Sequence, residues 1–295
     1  MNPLERGFLL LSSHLGNPDR TPLTAPQLRV LADRMVKSNF VAEDRDLVLS
    51  DLQKLGYNRE MSHRILQLLS QGEELDYYLN RGKRTGCIPL TRVNPQYPLI
   101  LRQRLGLDSP GCLWAKGPLS ILESPAVSLV GSRDLRPENA GFAEAVGRYA
   151  ALQGLTLVSG NARGADRTAQ NACLEAGGKV ISIVADELSR QPEREDILYL
   201  SEEDFDLPFS TQRALSRNRC IHALGRMTFV AQSDFKKGGT WDGTVKNLRF
   251  NWSPVACFRD NSDACRQLEQ MGAFCVTETD LADISSLLSA EVKLF

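Results

Sequence analysis

The sequence predicts an α/β protein: a mostly parallel sheet covered by helices on both faces, preceded by a small helical domain. Two observations carry that expectation. From residue 126 onward, short apolar runs alternate with stretches of helical length, and strands apolar along their whole length are those buried on both faces. Over residues 1–85 the apolar residues recur at helical spacing instead.

Taken in order, "TAPQLRVLADRMVK" starts with Thr24 as an N-cap and sets Leu28, Leu31 and Met35 on one face. "LVLSDLQKLGYNREMSHRILQLLSQ" predicts two helices turned at Gly56-Tyr57-Asn58. That Leu-Gly-Tyr turn is similar to a helix-hairpin-helix turn, whose N–H groups meet a DNA phosphate, although the second glycine is missing. In the connecting segment, residues 86–120, five prolines (Pro89, Pro95, Pro98, Pro110, Pro118) exclude long helices and leave short β segments. Strands are then expected at 126–131, 155–160, 179–185, 227–232, 254–259 and 273–277. Helices are expected at 137–153, 165–176, 210–224, 240–250, 262–272 and from about 281. The stretch 186–206, with nine acids and two arginines, reads as a solvated loop. The division is therefore 1–85, 86–120 and 121–295, the last a Rossmann-like doubly wound domain.

Composition narrows the function classes. The net charge of −1 does not advertise a polyanion partner, but residues 1–120 hold 16 basic against 12 acidic groups, and the later deficit lies in 186–206. A local basic site is compatible with a near-neutral total. Seven cysteines without a C-x-x-C pair read as buried reduced thiols, and His14, His63 and His222 are too scattered for a zinc site or a histidine triad. No apolar run approaches 18 residues, and the N-terminal patch lacks a small-residue cleavage site, so a cytoplasmic protein without membrane contact is expected.

In doubly wound sheets ligands bind outside the carboxyl ends of the strands. After the first long-domain strand stand Gly131, Ser132 and Arg133: a tight turn, a hydroxyl and a planar cation. After the second come Ser159, Gly160, Arg163, Gly164 and Asp166, where glycines permit close backbone approach and Asp166 either caps its helix or faces a ligand. Arg217, Asn218 and Arg219 open "RNRCIHALG"; they either grip a phosphodiester backbone or pair with the acids of 186–206. After the fourth strand, Lys237, Gly238, Gly239 and Thr240 set a point charge beside an N–H-rich helix start. Phe209 and Trp241 are candidate stacking surfaces for bases. There is no G-x-G-x-x-G after the first strand and no G-x-x-x-x-G-K-[ST], which argues against a dinucleotide cofactor and P-loop hydrolysis.

In "VNPQYPLILRQRLGLDSPGCLWAKGPLSIL", "VSLVGSRD", "SGNARGADRTAQNACLEAGGKVISIV", "LSEEDFDLPF", "SRNRCIHALG" and "KKGGTWDGT", in this order, the chain resembles the DNA-processing protein A family (DprA, also called Smf), related to the LOG phosphoribohydrolases. The resemblance covers roughly residues 85–260. It implies a Rossmann-like fold behind a helical domain of the SAM or helix-hairpin-helix-like kind. It also implies a single-stranded DNA-binding protein without cofactor, metal or catalysis, which protects strands, helps load a RecA-type recombinase and forms a homodimer. Arg133, residues 217–219 and Lys237 would then line the strand's path. Gly238-Gly239-Thr240-Trp241 stands in place of the family's Ser-Gly-Ser loop. Two alternatives stay open: a nucleotide-signal sensor using the same pocket, and a LOG-like phosphoribohydrolase in which Asp242 is the carboxylate after Gly-Thr.

Overall fold

The computed structural model describes residues 1–38 and 46–290. Residues 291–295, expected as the end of the last helix, lie outside the described residues. The first helices are α1 (Pro3–Ser12), α2 (Ala25–Lys37), α3 (Leu49–Lys54), α4 (Arg59–Leu69) and α5 (Gly72–Arg84). Their starts follow from local chemistry. Asn2 and Thr24 form capping boxes with Glu5 and Gln27, and Asn58 accepts from the Met61 N–H. Leu31, Leu52, Leu55, Ile65 and Leu68 bury together, with Leu28 and Met35 half-buried against them. The turn at Gly56 forms as expected, but the Asn58 side chain takes up one of the N–H groups that open α4.

Then follow β1 (Cys87–Thr91), α6 (Leu99–Leu105), β2 (Cys112–Lys116), β3 (Ala126–Val130), α7 (Pro137–Leu152), β4 (Thr156–Ser159), α8 (Ala165–Glu175), β5 (Val180–Ile183), β6 (Ile197–Ser201), α9 (Thr211–Ser216), α10 (Asn218–Leu224), β7 (Thr228–Val230), α11 (Gly238–Phe250), β8 (Val255–Phe258), α12 (Asp263–Gln270), β9 (Phe274–Val276) and α13 (Ile284–Ala290). The strands form one sheet of order β1-β2-β6-β5-β4-β3-β7-β8-β9. All pairs from β6 to β9 are parallel, whereas β1–β2 and β2–β6 are antiparallel, so the connecting segment supplies one margin of the sheet.

Side chains alternate along β3. Val127 and Leu129 enter a core with Phe142 of α7 and Ala169 of α8; Ala126 and Val130 enter another with Ile221 of α10, Trp241 of α11 and Leu268 of α12. Helices therefore cover both faces, as expected. Chain order runs outward from β3 through β4, β5 and β6, then returns to β7 on its other flank, and this reversal opens the crevice described below.

The acidic stretch departs from expectation. Its middle is β6, five buried residues in register with β5. Its last acids are latched to the protein rather than solvated. Glu202 pairs with Arg219 at 2.9 Å and Glu203 with Arg213 at 3.0 Å. Asp204 accepts from Ser13 Oγ at 2.8 Å, and Asp206 accepts from Tyr78 Oη at 2.6 Å and Arg81 at 2.9 Å, fastening α1 and α5 to the sheet. The helix expected at 210–224 is two helices meeting at Arg217.

Beneath β7, His222 is fully buried; its Nδ1 lies 3.2 Å from Asn247 Nδ2 and 3.3 Å from Thr228 Oγ1, and its Nε2 has no hydrogen-bond partner among the described residues. Burial pushes its pKa down to about 3, against 6.5 in an unfolded chain. The folded state therefore refuses a proton that the unfolded chain accepts. Stability from this group is intact above pH 6.5 and lost as pH falls from there toward 3. Between pH 7 and 4.5, the stability advantage of the wild type over His222→Gln should shrink by about 2–3 kcal/mol, read from urea unfolding at both pH values. A constant difference would refute the assignment.

Candidate functional site

At the chain reversal the segments after β3, β4 and β7 meet, with the α9–α10 junction laid across them. Gly131 lets the turn after β3 rest on α8: a Cβ there would sit 2.5 Å from Ala165 Cβ. Ala165 N donates to Ser132 O at 3.1 Å. Gly164 has φ +82°, and a Cβ on it would lie 2.4 Å from Arg133 O, so both conformation and space demand glycine. Thr240 Oγ1 donates to Gly131 O at 2.9 Å, and Asn218 Nδ2 to Gly239 O at 3.2 Å. The four segments singled out in the sequence are thus joined by direct contacts.

Asp166 does not cap its own helix. Its Oδ2 accepts from Gly160 N and Ala162 N, each at 3.1 Å, and so ties down the loop that precedes α8. Arg217 lies over the same loop, donating from Nη2 to Gly160 O at 2.8 Å, with Asp166 3.9 Å away. Gly160 is glycine for space alone: a Cβ there would come within 1.6–2.1 Å of the guanidinium. Burial pushes the Asp166 carboxyl up, opposed by Arg217 and the two N–H groups; burial pushes Arg217 down, opposed by Asp166 and Glu202. Together they form a buried, mutually neutralising pair under the crevice.

The remaining residues divide by what they already touch. Ser159 is buried and accepts from Gln170 Nε2 at 2.6 Å. Arg219 spends its donors on Asp108 O, Ser216 Oγ and Glu202. Exposed Arg163 pairs with Asp134 at 2.8 Å. The side chains of Arg133 and Lys237 are exposed and, among the described residues, make no hydrogen bond or ion pair; the Lys237 backbone N–H donates to Asp234 O at 3.1 Å. Nearby, Lys236 Nζ lies 4.8 Å from the Phe235 ring. The helices that follow β3, β4 and β7, namely α7, α8 and α11, all start without a side-chain cap, whereas Ser210 and Ser262 cap α9 and α12. Pro137 has no N–H to offer, and Ala165 N and Arg167 N of α8 already donate to Ser132 O and Ala162 O, so the start of α11, Gly238 to Thr240, is the one of the three that leaves its opening N–H groups and positive dipole end to the crevice.

Of the candidate stacking rings, Trp241 is buried in the core, its ring edge-on to Phe235 at 5.2 Å, because its position on α11 faces the sheet. Phe209 is 54% exposed, and Phe235, which the sequence did not single out, is 38% exposed. A second overlooked residue is Gln232, two residues past β7. Its carbonyl accepts from Ser132 N, its Oε1 from Arg136 N and its Nε2 donates to Asp134 O, which together fix the loop carrying Arg133. A polar residue closing an apolar run was the available signal. No cluster of three or more His, Cys, Asp or Glu side chains suited to a metal ion occurs among the described residues.

Residues 89–288 match the model of the family described as DNA recombination-mediator protein A. The DNA processing protein DprA of Streptococcus pneumoniae is 33% identical over 190 residues, covering 58% of this chain and 64% of that protein. Protein Smf of Escherichia coli K12 is 30% identical over 146 residues, covering 44% of this chain and 38% of that protein. The chain therefore spans less than two thirds of the length of these curated relatives. Among solved structures, DprA from Streptococcus pneumoniae superposes with a TM-score of 0.70 at 25% identity, covering 88% of this chain and 92% of that one. DprA from Helicobacter pylori, described for its single-stranded DNA binding mode, gives 0.55 at 23% identity, covering 71% and 97%.

The packing around Gly160 yields a direct test. Gly160→Ala should displace Arg217 and cost about 1–3 kcal/mol by overpacking. Gly177→Ala, with φ +76° but open space around the Cβ, should cost about 1 kcal/mol from backbone strain alone. Equal denaturation midpoints for Gly160→Ala and the wild type would show that Arg217 does not occupy this position.

Proposed function

The chain belongs to the DNA recombination-mediator protein A family, and from that premise we propose that it binds single-stranded DNA by its phosphate backbone, without catalysing a reaction. The observation that carries this is the pairing of two exposed, unengaged cations, Arg133 and Lys237, with the uncapped start of α11. Phosphates need cations and N–H groups along a path, which this crevice offers without base-specific groups. In this reading Arg133, Lys237 and the N–H groups of Gly164, Gly238, Gly239 and Thr240 meet phosphates. Ser132 and Arg163 border them, while Ser159, Gly160, Asp166, Arg217, Asn218 and Arg219 hold the loops in place. Phe209 and Phe235 are the rings offered to bases.

Two observations support binding without turnover. Asp166 is locked under Arg217 by two backbone N–H groups, and Asp242 stands exposed on α11 with no side-chain hydrogen bond or ion pair among the described residues. Residues 121–295 carry the strand site in this proposal, residues 86–120 join it to the helical domain 1–85, and the protein acts in the cytoplasm as a homodimer that hands its strand to a RecA-type recombinase.

The test is fluorescence anisotropy of a labelled oligo-dT at two salt concentrations. Binding should weaken with salt, and Arg133→Ala and Lys237→Ala should each lower affinity and reduce the salt slope by about 0.7–1. Arg226→Ala, at the opposite ends of the strands, should change neither. Folded protein that fails to bind at low salt, or binds unchanged in both site variants, would refute the proposal; stabilisation by a mononucleotide alone would favour the sensor instead.

A further inference from the structure

Away from the crevice, three thiols converge at one margin of the sheet. Cys265, on the first turn of α12, and Cys275, on β9, bring their sulfurs to 3.3 Å. Cys257 on β8 pairs in register with Cys275, so both side chains leave the same face of the sheet, toward α12. The other cysteines lie apart: Cys173 faces Lys179 O, Cys220 faces Glu202, and Cys87 and Cys112 stand at opposite ends of the β1–β2 ladder.

The backbones that carry the close pair are themselves fixed. Cys265 N donates to Ser262 Oγ at 3.1 Å. Arg259 Nη2 donates to Cys275 O at 3.2 Å, and Arg259 N to Val276 O at 2.9 Å. Cys275 is partly exposed whereas Cys265 is only 6% exposed, which makes one thiol reachable from solution and the other reachable only from its neighbour. A disulfide needs sulfurs roughly 2.05 Å apart, a closure that side-chain rotation and a small shift of α12 can supply.

We propose that Cys265 and Cys275 form a dithiol site that closes to a reversible disulfide by exchange with a small-molecule disulfide. The Cys275 thiolate attacks one sulfur of the reagent, forming a mixed disulfide and expelling one thiolate. Cys265 gives up its proton and attacks the Cys275 sulfur, which expels the second. Two protein thiols are oxidised, one reagent disulfide is reduced to two thiols, and the two protons leave with them. Burial, with Cys265 and Glu269 close by, pushes the Cys275 thiol up to about 12, so the pair rests reduced and exchanges slowly unless the reagent is in excess. The bond would staple β9, a three-residue strand paired only with β8, to the helix that covers it.

The experiment treats the full chain with excess oxidised glutathione, then maps free and linked cysteines by mass after denaturing alkylation. The expected result is a loss of 2 Da, one peptide joining Cys265 to Cys275, the other five thiols free, and reversal by dithiothreitol. Tm should rise by about 5 °C on oxidation. Cys265→Ala should stop at a glutathione adduct on Cys275, and Cys275→Ala should leave Cys265 untouched. A trivalent arsenical, which bridges neighbouring thiols without oxidation, should add once per wild-type chain and to neither variant. A persistent glutathione adduct on wild-type Cys275, a link to Cys257 instead, or no reaction at either residue would overturn the proposal.

Discussion

A guanidinium laid flat on a glycine organises the crevice. Arg217 reaches Gly160 only because that residue has no side chain, and its charge is tolerated there only because Asp166 lies beside it. Asp166 holds the loop after β4 by two N–H groups, while Arg217 stands where α9 gives way to α10. One residue further on, Asn218 reaches the start of α11. Three elements distant in sequence are thereby set relative to one another through a single buried pair. Removing either charge alone would leave the other uncompensated, which is worse than never having had the pair.

The acidic stretch illustrates how net charge misleads when counted over a window. Nine acids in 21 residues look like a solvated loop, yet five buried residues inside it, four of them apolar, form β6 and the acids after it are ligated by Arg219, Arg213, Ser13, Tyr78 and Arg81. These bonds connect the helices at the start of the chain to the end of β6. The charge deficit thus acts within the protein as a clasp that takes up Arg213 and Arg219 but leaves the side chains of Arg133 and Lys237 without an acid partner among the described residues.

Much of the architecture was legible because burial on both faces leaves a plain mark: each of six expected strands contains an observed one. What was not legible depended on partners remote in sequence. Asp166 at the second position of a helix reads as a cap, and only the fold of the preceding loop turns its carboxylate back toward Gly160 and Ala162. Trp241 beside two glycines reads as a platform, and only its facing on α11 sends it into the core. The break at Arg217 carries no proline or glycine, so nothing local announced it. The grouping of the four loops could be inferred from topology, but which cations remain unpaired could not, since that depends on where every acid ends up.

The two margins of the sheet have a consequence for crowding. Wherever a protein is held at high local concentration, open sheet margins invite edge-to-edge polymerisation. Here one margin is β1, interrupted by Pro89, which lacks the donor a further strand would need. The other is β9, three residues long and too short to template a partner. Neither margin of the sheet therefore offers further copies of the chain a strand to extend.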